Sequence, residues 1–252
     1  MINFISPRIH NLGDFANCLP ALSGVYKELR EPINFIICDR LERFKGIKEL
    51  LLAQDMFEKV SFVHEIREPI RAILIDDNGE DDLTTINPLS TVRYANSIKK
   101  IIDFKIDESF ELQVPKLDID YHNDKILVGD RWSPKDAPDV DDRRSSNLIE
   151  SSGILKDLPV LYLDYTKDLV YNCSLIKYNI NPFVTTFTGI GILADLMNKD
   201  QYIVWGEDVR NWNNKSIEYS FRMHYYENRK SKLTYINDID TNILYENLKL
   251  QK

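Results

Sequence analysis

Cysteine is scarce in this chain of 252 residues: Cys18, Cys38 and Cys173 are the whole supply, odd in number and far apart. That spacing excludes a paired CxxC metal site and a disulfide framework, and the three read as reduced core residues of a cytosolic protein. No apolar run approaches the roughly 20 residues that a membrane helix needs. The start, Met1-Ile2-Asn3-Phe4, lacks the basic n-region of a signal peptide, so the expected location is cytoplasmic with no membrane span. An excess of positive charge is missing too. The balance of 32 Lys and Arg against 40 Asp and Glu gives a formal charge of −8, which opposes general adhesion to nucleic acid or anionic lipid. The histidines His10, His64, His122 and His224 show no metal-ligand spacing, so no metal is expected. No GxSxG elbow supports a serine hydrolase. No short period points to a solenoid.

What remains is an ordinary globular composition, 43% hydrophobic and 29% charged, long enough for one large domain or two small ones. The first half alternates. Apolar strands are expected over residues 3–6, 34–38, 59–63 and 71–76, with helices over 15–30, around 42–53 and over 92–103. The last of these should turn Tyr94, Ile98, Ile101 and Ile102 inward. Gly79-Glu80-Asp81-Asp82 reads as a solvated acidic turn or a cation-binding loop. Residues 104–125 have mixed charge, one proline and no period, and read as a linker. The alternation then restarts, with strands over 126–128, 159–163, 183–186 and 202–205. Helices are expected over 141–153, 169–178, 190–198 and 241–250, the last with Ile243, Leu244 and Leu248 inward. Apolar strands without period-2 polarity, alternating with helices, predict parallel sheets covered on both faces. The expected architecture is therefore α/β, with two Rossmann-like domains, 1–115 and 116–252, facing a central cleft.

Residues 3–29 hold the densest signal. A short strand is followed by a polar turn, by Gly13, and by Asp14 at the start of a helix whose Leu19, Leu22, Val25 and Leu29 recur at helical spacing. Free backbone N–H groups at such a helix start stabilise an anion or an incoming ligand oxygen. Asp14 reads either as a helix cap or as a residue of a site.

Gly13-Asp14, four further residues, Leu19-Pro20-Ala21-Leu22, a helix and then Ile33-Asn34-Phe35-Ile36-Ile37 together resemble the opening of the heptosyltransferase-like glycosyltransferases. The resemblance covers residues 1–63 and is patchy afterwards. It implies an inverting enzyme of the two-domain GT-B fold with Asp14 as the catalytic base. Two later segments extend it. Lys135 and Pro138, on the loop after the strand at 126–128, fit the spacing of a lysine that contacts the sugar-nucleotide diphosphate in that family. Thr188-Gly189 and Leu193-Ala194 match a second motif, in which Phe187 replaces an acid and Ile192 a histidine. A cationic loop and a Thr-Gly helix start at the carboxyl ends of strands can neutralise a diphosphate leaving group.

The sequence thus leads to a glycosyltransferase moving a sugar from a nucleotide-sugar donor to a glycan or other hydroxyl acceptor. Asp14 is the base, and His10, Asn11 and Gly13 lie on the acceptor side. Arg131, Lys135, Thr188, Gly189, Gly206 and Glu207 lie on the donor side, with no cofactor and no metal. Two alternatives stay open. One is transfer to modified DNA bases, for which the segment from Arg222 to Lys232 counts, within an aromatic and basic run that begins at Trp212, and against which the acidic net charge counts. The other is a catalytically silent relative that binds a nucleotide or a partner, for which the exchanges at Phe187 and Ile192 count.

Overall fold

A computed structural model describes residues 2–6, 12–76, 90–130, 148–206, 221–222, 225 and 229–249. The acidic turn at 79–82 and the first part of the helix expected over 141–153 lie outside these residues. By its internal contacts the chain divides into two compact units, Met1–Pro115 with Asp168–Val170, and Lys116–Lys167 with Tyr171–Lys252.

In the first unit, β1 (Ile2–Ile5), β2 (Ile33–Ile37), β3 (Phe57–Phe62) and β4 (Ile73–Leu74) form a sheet of order β3-β2-β1-β4. Every pairing in it is parallel. The helix expected over 15–30 is two helices, α1 (Leu12–Ala16) and α2 (Leu19–Leu29). Pro20 explains the break. It has no N–H to bond to the Ala16 carbonyl, so a continuous helix would lose a rung there, whereas a first-turn proline is tolerated. Arg30 ends α2 in a left-handed conformation, with φ of 56°, and its N–H bonds to Tyr26. Helices α3 (Ile47–Leu52) and α4 (Ser90–Lys99) complete the unit. Tyr94 and Ile98 are buried as expected, but Ile101 is 65% exposed because the helix stops at Lys99 and its period no longer applies.

The segment after α4 is fastened to α2 by two features. Asp107 is buried and accepts hydrogen bonds from Ser23 (2.6 Å) and Ser109 (2.7 Å), with Lys27 Nζ at 2.7 Å. Burial raises its pKa, but the bonds from Lys27, Ser23 and Ser109 outweigh that, and the carboxyl ends below its ordinary range. The second feature is Gly24. A Cβ there would come within 2.1 Å of the Lys105 carbonyl oxygen, so the backbone crosses α2 where only glycine leaves room.

In the second unit, β5 (Ile126–Gly129), β6 (Val160–Tyr162), β7 (Phe183–Thr185), β8 (Gln201–Trp205) and β9 (Ser231–Tyr235) form a parallel sheet of order β6-β5-β7-β8-β9. Helices α5 (Leu148–Ser152), α6 (Leu169–Tyr178), α7 (Gly189–Leu196) and α8 (Thr241–Lys249) accompany it. Strand β9 is not expected from the sequence, where the basic residues around it hide the pattern. In α8, Leu244 and Leu248 are buried, but Ile243 is half exposed, lying off the i, i+4 stripe that those two define.

Buried polar side chains replace missing backbone partners at the entrance to β5. Asn179 donates to the carbonyls of Tyr121 and His122, both at 2.9 Å, and Asn181 donates to those of Asn123 and Lys125, both at 2.8 Å. Lys199, 8% exposed, donates to the Asn179 carbonyl. Burial brings its ammonium down from the ordinary 10.5 to about 8.

Two outcomes follow. Gly24→Ala should lower stability by about 1–3 kcal/mol, despite the better helix propensity of alanine, because backbone must move; the midpoint of denaturant unfolding measures this. Lys199 should make stability rise between pH 8 and 10.5, since in that window the folded chain has shed a proton that the unfolded chain still holds. Below that window the ammonium is charged in both states and its burial counts fully against folding. In Lys199→Met this rise should be absent from urea titrations run across the same pH values.

Candidate functional site

In open parallel sheets, ligands bind beyond the carboxyl ends of the strands, at the point where the strand order reverses. In the first sheet this point lies between β1 and β4, and in the second between β5 and β7. The segments leaving β1, β5 and β7 are therefore the ones to inspect.

The segment leaving β1 reaches Asp14 in the first turn of α1. Its neighbours fix the helix to the sheet. Leu12 and Phe15 are each 2% exposed, and the Phe15 ring stacks on Phe35 of β2, centroids 5.9 Å apart, with Phe35 in turn 5.2 Å from Phe57 of β3. Asp14 itself is half-buried. Gly13 is buried, and its carbonyl accepts from the N–H of Asn17 at 3.0 Å. His10 and Asn11 lie outside the described residues.

The segment leaving β5 starts with Gly129 and Asp130. A Cβ on Gly129 would sit 2.6 Å from the Phe183 ring, so the central pair of strands packs too closely for a side chain there. Asp130 is 6% exposed and accepts from the N–H groups of Ile149 (3.1 Å) and Glu150 (2.8 Å), which caps α5. Burial raises its pKa, and the two N–H bonds offset this only in part. Its backbone carbonyl accepts from the Thr186 hydroxyl at 3.0 Å, and that of Gly129 accepts from Thr185. Asp130 thus fixes both ends of the stretch that carries Arg131 and Lys135, two residues outside the described ones. The sequence signal for Asp130 was available: it is the first charged residue after a wholly apolar strand.

The segment leaving β7 gives the clearest local geometry. Thr188 is the N-cap of α7, in extended conformation, and its hydroxyl accepts from the N–H of Gly191 at 3.4 Å. Gly189 opens the helix, half-buried. Phe187 turns edge-on to Phe221 and Tyr225, with centroids at 6.5 and 6.0 Å, and those two rings stack at 4.9 Å. Ile192 is buried. The two exchanged positions are therefore packed apolar positions. Gly191 is close-fitted as well, since a Cβ there would be 2.8 Å from the Tyr225 hydroxyl and 3.1 Å from Thr185 Cγ2. Tyr225 is fully buried, and burial, then Asp195, raises its pKa well above 10.

Gly206 follows β8 and is buried against Leu148, while Glu207 lies outside the described residues. Among the described residues no group of three His, Cys, Asp or Glu could hold a metal, and no helix is long and apolar enough to cross a membrane. In the basic run before β9, Arg229 is nearly buried; its Nη1 donates to the Asp195 carbonyl at 2.7 Å and its Nε lies 3.6 Å from that carboxylate. Lys232 lies 5.2 Å over the Tyr202 ring.

Comparison with solved structures decides the fold. E. coli heptosyltransferase WaaC with ADP matches with a TM-score of 0.60 at 10% identity, over 100% of this chain and 100% of that one. The chain has a heptosyltransferase-like GT-B fold. A glycosyl transferase family 9 structure from Veillonella parvula DSM 2008 gives a TM-score of 0.58 at 10% identity, covering 98% of this chain and 89% of that one. E. coli ADP-heptose LPS heptosyltransferase II gives 0.57 at 14% identity, covering 100% and 99%. No protein-family model matches the chain, and no curated protein matches it in sequence. Within the heptosyltransferase-like fold, Gly13, Asp14 and Thr188-Gly189 are the expected site residues that fall on described segments leaving β1 and β7.

The tight fit under α7 is open to test. Gly191→Ala should destabilise by about 1–3 kcal/mol through overpacking. Adding Tyr225→Phe, which removes the clashing oxygen, should recover part of that loss. Additive losses in the double-mutant cycle would show that the hydroxyl is not the obstacle.

Proposed function

We propose that this protein is an inverting glycosyltransferase that moves a sugar from a nucleotide-sugar donor to a hydroxyl of an acceptor. The observation that carries the reading is the likeness, along the whole chain, to heptosyltransferase structures, among them WaaC with ADP and with ADP-2-deoxy-2-fluoro heptose. Asp14 supports it, standing in the first helix after β1, beside the reversal of strand order.

In the proposed reaction the acceptor oxygen attacks the anomeric carbon from the face opposite the leaving group. The bond from that carbon to the diphosphate oxygen breaks, and configuration inverts. The hydroxyl proton passes to the Asp14 carboxylate as the oxygen bonds to carbon. His10 and Asn11 orient the acceptor. Arg131 and Lys135 supply positive charge to the departing diphosphate, and the first N–H groups of α7, framed by Thr188 and Gly189, add to it. With these cations the leaving group is neutralised without a metal. Gly206 and Glu207 face hydroxyls of the donor. A nucleic-acid acceptor is less favoured, because Arg229 of the basic run is occupied with Asp195.

The second reading, a silent relative that binds nucleotide without transfer, is favoured by one observation: Phe187, where the family resemblance places an acid, is built into an aromatic cluster.

Thermal-shift screening of nucleotide sugars, followed by transfer assays, separates the readings. Asp14→Asn should keep its melting temperature and donor-induced shift while turnover falls by about 10²–10⁴, the range for loss of a positioned base. Lowered stability with near-normal turnover per folded molecule would make Asp14 a cap. Wild-type protein that binds a nucleotide sugar and transfers to nothing would establish the silent relative.

A further inference from the structure

Three of the segments that leave the second sheet are tied together at one residue. Asp130, directly after β5, is 6% exposed, and each of its carboxylate oxygens accepts a backbone N–H of α5, Oδ1 from Ile149 (3.1 Å) and Oδ2 from Glu150 (2.8 Å). Leu148, which opens that helix, packs on Gly206 just past β8, so closely that a Cβ on the glycine would lie 3.1 Å from Leu148 Cδ1. The main chain of Asp130 makes the third tie, since its carbonyl accepts from the Thr186 hydroxyl (3.0 Å) just past β7. Beside it the Gly129 carbonyl accepts from Thr185, whose Oγ1 lies 3.3 Å from the hydroxyl of Thr188, the N-cap of α7. Glu150 of α5 and Tyr162 of β6 are the ionisable groups that interact with Asp130, and no cation among the described residues offsets its charge.

That arrangement is costly. Asparagine caps a helix about as well as aspartate, yet the chain keeps an acid in a place where burial first, and the charge of Glu150 with it, raise its pKa. The ionised carboxylate does one thing here that asparagine or a neutral acid cannot. Both of its oxygens only accept, so both N–H groups of α5 are met at once. We infer that Asp130, in its ionised form, is a positioning residue for the nucleotide-sugar donor, holding the segments that leave β5, β7 and β8 in the mutual placement that binding requires. The inference rests on the glycosyl-transfer reading and deepens it, by making donor affinity depend on the charge of a residue that need not touch the donor.

The test sets affinity against stability. UDP-glucose, ADP-glucose and GDP-mannose, whose diphosphates are esterified at both ends and so have no proton to lose near neutral pH, are titrated calorimetrically into the full chain. The carboxyl ¹³C resonance of Asp130 follows its ionisation in the same buffers. At least one donor should bind, with affinity falling about tenfold as pH falls through that ionisation, the scale of one lost hydrogen bond. Folding stability should run the other way. A raised carboxyl keeps its proton in the folded chain where the unfolded chain has lost it, so its contribution to stability is lost as pH rises from the ordinary value through the raised one. The difference between wild type and Asp130→Asn in urea unfolding isolates that contribution. At neutral pH, Asp130→Asn and Thr186→Val should each bind about tenfold more weakly than wild type, the former with a flat pH profile, and Asp130→Ala more weakly still. Wild-type affinity in Asp130→Asn, affinity that rises as pH falls, or affinity and stability that change together with pH would overturn the inference. A wild type that shows the expected profile and transfers to no acceptor removes the transfer reading and keeps the positioning role, whereas silence from all three donors removes both.

Discussion

A parallel strand cannot hand its chain to a parallel neighbour without a connection that runs back along the sheet, and every strand pairing recorded here is parallel. The rest of the protein depends on this constraint. Each return crosses a face, so the central strands of a sheet are covered on both sides, as in the wholly buried β5 and β7. Each return also makes the outgoing segments of all strands emerge at one edge. Polar residues distant in sequence, such as Asp14, Asp39 and His64, gather on one edge of the first sheet for that reason. Asp130 and Thr186–Thr188 gather on the second for the same reason.

The buried charges serve the fold more than the chemistry. Asp107 ties the segment after α4 onto α2, Asp195 takes Arg229 and the Ser231 hydroxyl, and Lys199 closes the Asn179 platform. Breaking such a pair strands a charge in a low-dielectric interior, which costs more than the intact pair contributes. Each therefore acts as a register pin for an irregular segment that apolar packing alone cannot fix. Asp14 differs from these in being half-buried and not enclosed, the condition a group needs to meet a substrate.

Much of this was legible in the sequence. The apolar runs at 34–38 and 126–128 named their strands because a strand buried on both faces admits almost nothing else, and α6 took the bounds expected for it. Where the reading slipped, the causes were local as well as tertiary. Pro20 split one helix into two, α4 stopped before Ile101, Ile243 fell off the stripe of α8, and β9 was masked by Arg229 and Lys232. The cations of this run counted toward a nucleic-acid acceptor, yet Arg229 points inward to Asp195, and no periodicity reports an internal ion pair. Of the candidate site residues, Asp14 and Thr188-Gly189 were singled out through family resemblance. A contact such as Asp39–His64 was not legible, since 25 residues separate its members and only the neighbouring of β2 and β3 brings them together.

The aromatic cluster under α7 bears on where selectivity can reside. A carboxylate or an imidazole near a helix start reads sugar hydroxyls by direction, because each has few lone pairs or protons in fixed places. With Phe187 and Ile192 in those positions, the polar groups left at the start of α7 are its backbone N–H groups and the Thr188 hydroxyl, itself engaged with Gly191. Backbone donors at a helix terminus read charge, which suits a diphosphate and tells little about the sugar attached to it. If the proposed reaction is this protein's, donors are discriminated weakly at that turn. On that reading, selectivity for the sugar has to come from groups whose direction is fixed and that lie away from the start of α7.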